Sequence, residues 1–187
     1  MDREISNLVT GDRIVFDSSP MMGEGDDLVF RCTLPPLANG APLHVHDEMT
    51  ESFAVISGAL EIDLGNGRLQ TLLPGDEIVL DAGTPHGFRN PLSTETVFMT
   101  TASPGLELER FLRSLYSLAD AGRTNSDGSP SNPLAMASIL SRMDMAVVGV
   151  PRPVQSILIG MLAGVARLAG VERKLSALVV AARTGDV

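Results

Sequence analysis

Leu43-His44-Val45-His46-Asp47-Glu48-Met49-Thr50-Glu51 and, further on, Gly83-Thr84-Pro85-His86 hold all three histidines of this 187-residue chain. Side chains two apart along a β-strand point to the same face, so His44 and His46 can converge on one ion. Neutral imidazoles joined by one carboxylate make a mixed nitrogen and oxygen donor set suited to Fe, Mn, Ni, Cu or Zn. Three unrelated surface or core histidines remain the alternative as long as these two segments are read alone.

Outward from these segments, residues 1–102 read as short strands separated by turns. Arg13 to Phe16, Leu28 to Cys32, Phe53 to Ile56, Leu60 to Leu64 and Thr96 to Met99 are β-prone. Gly11-Asp12, Gly23 to Asp26, Ser57-Gly58, Gly65-Asn66-Gly67 and Pro74-Gly75-Asp76 punctuate them. Many short strands at such spacing predict a sandwich or barrel. Leu60, Ile62 and Leu64 alternate with Glu61 and Asp63, as a strand does when one face packs and the other is wet.

The histidine segments and their flanks resemble the two motifs of the cupin superfamily. In the first, Gly40, His44-Val45-His46, Glu51 and Gly58 fit, although Gly40 stands closer to His44 than usual. In the second, Gly75, Gly83, His86 and Asn90 fit in register, and Asp81 holds a position that is usually proline. The likeness covers about residues 5–102, and the short stretch from Gly58 to Gly75 is like that of small bacterial cupins. It implies a mainly β fold: a single cupin jelly-roll barrel, or double-stranded β-helix. It also implies that His44, His46, Glu51 and His86 are ligands of one divalent transition metal, with Glu51 as a catalytic proton shuttle in quercetinase-like members. Asp47 and Glu48 are rival carboxylates whose register relative to Gly58 is wrong.

Beyond Ser103-Pro104 the texture turns helical, so a barrel over 1–102 and a helical extension over 103–187 are expected. Leu108, Phe111, Leu112, Leu115 and Leu118-Ala119 form one stripe of a first helix, Leu106 to Ala121, whose Glu107, Glu109 and Arg113 complement its dipole. Asn132-Pro133 reads as the start of a methionine-rich helix running to near Gly149. After Pro151-Arg152-Pro153 a third helix reaches Gly170, and a fourth spans Glu172 to Ala182. This apolar tail must pack on the barrel or on a second subunit. Gly160 and Gly164 permit close approach of another helix.

Several function classes are excluded by inventory. The net charge is −9, and residues 1–102 carry 16 acids against 5 arginines, so nucleic acid is not expected as a partner. Ile157 to Val165, the longest apolar stretch, is too short to span a bilayer, and no secretory signal is seen. A lone cysteine, Cys32, fits a reducing cytoplasm. A serine-histidine hydrolase needs a histidine not committed to metal, and a Schiff-base enzyme needs a lysine, of which Lys174 in the tail is the single example. Tyr116, the only tyrosine, lies outside the barrel, unlike the tyrosine acid of metal-free cupin epimerases. Two expectations remain: a metal-dependent, dioxygenase-like enzyme acting on a small organic molecule, with isomerase or cyclase variants, and a non-catalytic binding cupin. A homodimer is the expected assembly. Phe53, Val55 and Phe88 share strand parity with the ligands and are either pocket wall or plain core.

Overall fold

The computed structural model describes residues 1–184. Its strands are β1 (Glu4–Ser6), β2 (Arg13–Ser18), β3 (Leu28–Leu34), β4 (His44–Val45), β5 (Thr50–Ser57), β6 (Leu60–Asp63), β7 (Leu69–Leu72), β8 (Glu77–Leu80), β9 (Gly87–Arg89), β10 (Thr96–Ser103) and β11 (Ala146–Val147). The helices are α1 (Leu106–Asp120), α2 (Pro133–Leu140), α3 (Arg152–Leu168) and α4 (Val171–Thr184). One sheet has the order β1-β2-β3-β10-β5-β8, and all its pairings are antiparallel. A second has the order β7-β6-β9, and β4 joins its β9 side through the backbone pair His44 and His86. This is the double-stranded β-helix expected of the sequence.

Two-residue periodicity decides what the sheets enclose. In β3, Leu28, Phe30, Cys32 and Leu34 face inward; in β10, Phe98 and Ala102 do; in β5, Phe53 and Val55 do. Phe53, Phe88 and Phe98 pack at ring separations of 5.3 to 6.0 Å with tilted or edge-on planes, as aromatic quadrupoles prefer. Each such buried side chain contributes about 1.5–3 kcal/mol of hydrophobic stabilisation. The second-motif asparagine serves this scaffold: buried Asn90 donates to the Pro35 and Thr94 carbonyls at 2.7 Å each and accepts from Thr96 Oγ1 and Leu92 N. Gly40 is needed for space, since a Cβ there would lie 2.1 Å from the Phe88 ring.

The tail departs from expectation in three places. Glu109 and Arg113 are not surface charges tuned to a helix dipole but a buried pair, Nε to Oε1 2.8 Å, under β2 and the loop that follows. Ser19 Oγ and Met21 N–H also bind Glu109, at 2.6 and 3.0 Å, and the Arg113 guanidinium lies 4.2 Å from the Phe16 ring centre. Second, the methionine-rich helix stops at Leu140 instead of Gly149, and Ala146–Val147 becomes β11, antiparallel to β4. The free edge of β4 offers unpaired N–H and C=O groups, and satisfying them outweighs another helical turn. Third, among the described residues Gly160 and Gly164 meet no other helix: nothing lies within 4 Å of a Cβ built on either. The fourth helix begins where expected and is described to Thr184. Among the described residues no single helix is long and apolar enough to cross a membrane, and α3 and α4 are bent by 79° at their junction.

Candidate metal centre

The four residues singled out by the sequence come together from both sheets. Glu51 stands on β5, in phase with inward-facing Phe53, between Leu80 of β8 and Ala102 of β10. His44 and His86 are cross-strand partners that exchange both backbone hydrogen bonds, at 2.8 and 2.7 Å, which holds the two imidazoles side by side. His46 follows β4 by one residue and returns to the same face as His44. All four are buried, with relative exposures of 4% (His44), 2% (His46), 6% (Glu51) and 3% (His86). Asp47 and Glu48 stay exposed and outside the cluster, and Asp47 pairs with Arg152.

The donor atoms fit a single ion. One nitrogen or oxygen of each residue lies within 4.8 Å of the others. His44 Nε2 is 3.0 Å from His46 Nε2, and Glu51 Oε2 is 2.8 Å from His86 Nε2 and 3.5 Å from His46 Nε2. Ligands about 2.1 Å from a metal stand about 3 Å from their cis neighbours, so these separations are those of adjacent coordination positions. The other ring nitrogens complete the argument. His44 Nδ1 donates to the Pro42 carbonyl at 2.7 Å, His86 Nδ1 to the Thr84 carbonyl at 2.9 Å, and His46 Nδ1 to the Asp144 carbonyl. Backbone carbonyls can only accept, so each neutral ring carries its proton on Nδ1 and turns a lone pair inward from Nε2. Two lone pairs facing each other at 3.0 Å repel, and a cation turns that repulsion into coordination. Backbone oxygens bound to the far side of a ligating histidine are the usual way of fixing its tautomer and orientation.

The local field is consistent with this. Burial alone would raise the Glu51 carboxyl, but in the metal-free site hydrogen bonds from His46 and His86, formed when those rings also carry a proton on Nε2, outweigh it and bring it down to about 2, so it is ionised. Burial, with His86 alongside, pushes His44 down to about 4 and keeps it neutral at pH 7. For His46 burial lowers the value, yet contacts with Glu51 and with the Asp144 carbonyl win and raise it. One carboxylate and three imidazoles leave a single negative charge in a dry pocket, a setting that favours a small divalent cation.

Asp144 is the residue that sequence reasoning missed. Besides its carbonyl on His46, its carboxylate accepts from the N–H groups of Asp47, Glu48 and Met49 at 3.0, 2.6 and 3.1 Å. The turn that carries the chain from His46 to Glu51 is thereby gripped from the tail. No local pattern around Asp144 announces this, because its partners lie almost a hundred residues earlier. Phe53, whose place was open between pocket wall and core, is buried in the core with its ring 6.1 Å from that of His86. Val55 is core as well, and partly buried Phe88 packs against it.

Comparison with known proteins agrees with this architecture. Residues 30–102 match the family described as Cupin domain. A stretch of 48 residues, 26% of this chain, is 44% identical to quercetin 2,3-dioxygenase of Bacillus subtilis (strain 168), of which it spans 14%. A conserved protein with a double-stranded β-helix domain from Klebsiella pneumoniae is 27% identical, with a TM-score of 0.43 over 49% of this chain and 75% of that one. The polyketide cyclase of Streptomyces resistomycificus is 22% identical, with a TM-score of 0.45 over 49% of this chain and 64% of that one. Residues 30–102, with the barrel strands, the paired motifs and the buried His/Glu cluster that could hold a metal ion, are a cupin domain, and these likenesses support a small protein of the cupin superfamily.

Proposed function

We propose that His44, His46, Glu51 and His86 hold one divalent transition metal and that residues 1–102, the barrel unit, use it in a dioxygenase-like reaction on a small organic molecule. The observation that carries this reading is the set of three Nδ1 atoms tied to backbone carbonyls, which leaves three Nε2 lone pairs and Glu51 Oε2 converging. When bound, such an ion supplies Lewis-acid or redox capacity and, if six-coordinate, two open positions for a chelating pair of substrate oxygens. The paired strands hold His44 and His86 rigid, so substrate would meet a fixed set of donors. Glu51, buried with its Oε2 2.8 Å from His86 Nε2, is the group placed to hold or pass a proton at Oε2. Phe53, Phe88 and Phe98 make the floor beneath it apolar and dry, suited to an aromatic or polyketide-like ligand. The 48-residue likeness to quercetin 2,3-dioxygenase supports oxygen chemistry over isomerase or cyclase variants.

A second reading, a non-catalytic cupin that binds metal and ligand without turnover, is favoured by the near-complete burial of all four ligands. Metal content by mass spectrometry on untagged protein, with Glu51→Gln and His86→Ala beside it, tests the shared premise. About one Fe, Mn, Ni, Cu or Zn per wild-type chain, lost in both variants, is expected. Glu48→Gln should retain the metal; the reverse pattern would overturn the assignment of Glu51. Oxygen uptake with flavonols and catechols then separates the readings, since binding without uptake leaves the non-catalytic one.

A further inference from the structure

The helical tail has a cleft of its own, apart from the barrel's histidines. α1, α2 and α4 enclose about 330 Å³, with Phe111, Ile139 and Leu175 among the lining and Arg110 and Arg142 at the exposed rim. The three apolar residues belong to the cluster that joins these helices. Two carboxylates also line the cleft, and each is satisfied on one oxygen only. Glu107 Oε1 accepts from Arg110 Nη1 at 2.8 Å, and Glu172 Oε2 lies 3.5 Å from Arg167 Nε and 3.9 Å from Arg142 Nη2. Glu107 Oε2 and Glu172 Oε1 are shielded from solvent and, among the described residues, have no hydrogen-bond partner. Ser138 faces the same cleft. It is 2% exposed, and its hydroxyl makes no hydrogen bond among the described residues. Buried polar atoms left without partners are costly, so three around one cleft point to a group that comes from outside the chain.

The chemistry of that group follows from what surrounds it. Two carboxylate oxygens and a hydroxyl call for donors, and an ammonium brings three N–H donors and no acceptor. A metal ion would need a third ligand, and among the described residues His44, His46, Glu51 and His86 form the one group close enough to hold an ion. A simple amine leaves the rim unused. Three guanidiniums, Arg110, Arg142 and Arg167, stand against two carboxylates, so a second, negative group is favoured beside the ammonium. Arg142 is the one placed to take it. Its side chain is 57% exposed and its only carboxylate contact is the loose one to Glu172, which leaves its forked N–H groups open to a carboxylate. The apolar lining then takes an apolar side chain. The volume is at the small end of ligand sites and has room for one small molecule.

We propose that this cleft binds a free α-amino acid with an apolar side chain. Its ammonium meets Glu107 Oε2, Glu172 Oε1 and the Ser138 hydroxyl, its carboxylate meets Arg142, and its side chain lies on Phe111, Ile139 and Leu175. All these residues are in the tail, so the site does not depend on whether the barrel binds metal. The test is isothermal titration calorimetry on the full untagged chain with L-leucine and L-phenylalanine, with circular dichroism as a check on folding. At least one of the two should bind. Glu172→Gln should weaken that binding about 10-fold or more, and Ser138→Ala should weaken it several-fold. 4-Methylpentanoate, which lacks the ammonium of leucine, should not bind, and 3-methylbutylamine, which lacks the carboxylate, should bind about 10-fold more weakly than leucine. His86→Ala should bind leucine as wild type does. The absence of heat with either amino acid up to about 10 mM overturns the proposal. So does affinity indifferent to both Glu172→Gln and Ser138→Ala. Equal binding of 4-methylpentanoate would make the cleft an anion site, and loss of leucine binding in His86→Ala would place the amino acid on a barrel metal; either result also overturns it.

Discussion

α1 and α3 are similar in length and both amphipathic, but they spend their apolar residues in opposite ways. α1 lays Leu108, Tyr116 and Leu118 against the barrel and the other helices and buries even its charges, Glu109 and Arg113. α3 buries two alanines and presents its large side chains outward. Hydrophobic periodicity therefore tells that a helix has a face to bury, and not what the face is buried against. The chain is coupled tightly to itself as far as Asp120, again at the Asp144 brace, and loosely along α3.

The largest effect should come where coupling is densest. Phe98→Ala, in the barrel core, should cost about 3–5 kcal/mol of unfolding free energy in denaturant titrations. A value under about 1 kcal/mol would mean that the core beneath the site is not packed as described. Glu109→Ala should come close behind, at about 3 kcal/mol, because it strands a buried guanidinium; a neutral result would return Glu109 to the surface and erase the contrast with α3. Glu51 adds a pH dependence in metal-free protein. Its folded carboxyl lies near 2, below the ordinary glutamate value of 4.5, so its contribution is fully present above about 4.5 and fades as pH falls from about 5 toward 2. The stability gap between wild type and Glu51→Gln should narrow over that window, and a constant gap would contradict an ionised, hydrogen-bonded Glu51. Asp144→Ala should leave the melting transition nearly in place but lower metal affinity about 10- to 100-fold in chelator competition, with Asp144→Asn closer to wild type. Unchanged affinity would uncouple the tail from the site. Smallest of all, Leu168→Ala should change stability by less than about 0.5 kcal/mol, since Leu168 is 90% exposed.

Much of the barrel and its ligand cluster was legible because the information is local. Strand alternation brings the two histidines of the His-x-His pair to one face, and the resemblance to the cupin motifs adds Glu51, five residues on, and His86 after a glycine turn. Strands β2, β3, β5, β6 and β10 were readable for the same reason, whereas β4, β7, β9 and β11 are too short, or too polar on one face, to show a period. What escaped notice was non-local. Met143 and Met145 look like helix positions until the free edge of β4 competes for the segment. Glu109 and Arg113 look like an exposed i,i+4 pair until Ser19 and Met21 arrive from the other end of the chain. Asp144 carries no signal at all, since its meaning lies in three backbone N–H groups that every sequence possesses.

The pairing of β11 with β4 also has a consequence in time. At about 5–20 residues per second, a ribosome needs roughly 5–20 s to advance from His46 to Asp144. All four clustered side chains have been made well before then, but His46 still lacks its carbonyl partner and the outer edge of β4 is still open to any passing strand. The nascent barrel is thus least guarded at the strand that bears His44 and leads into His46, and a segment translated 98 residues after His46 supplies the latch.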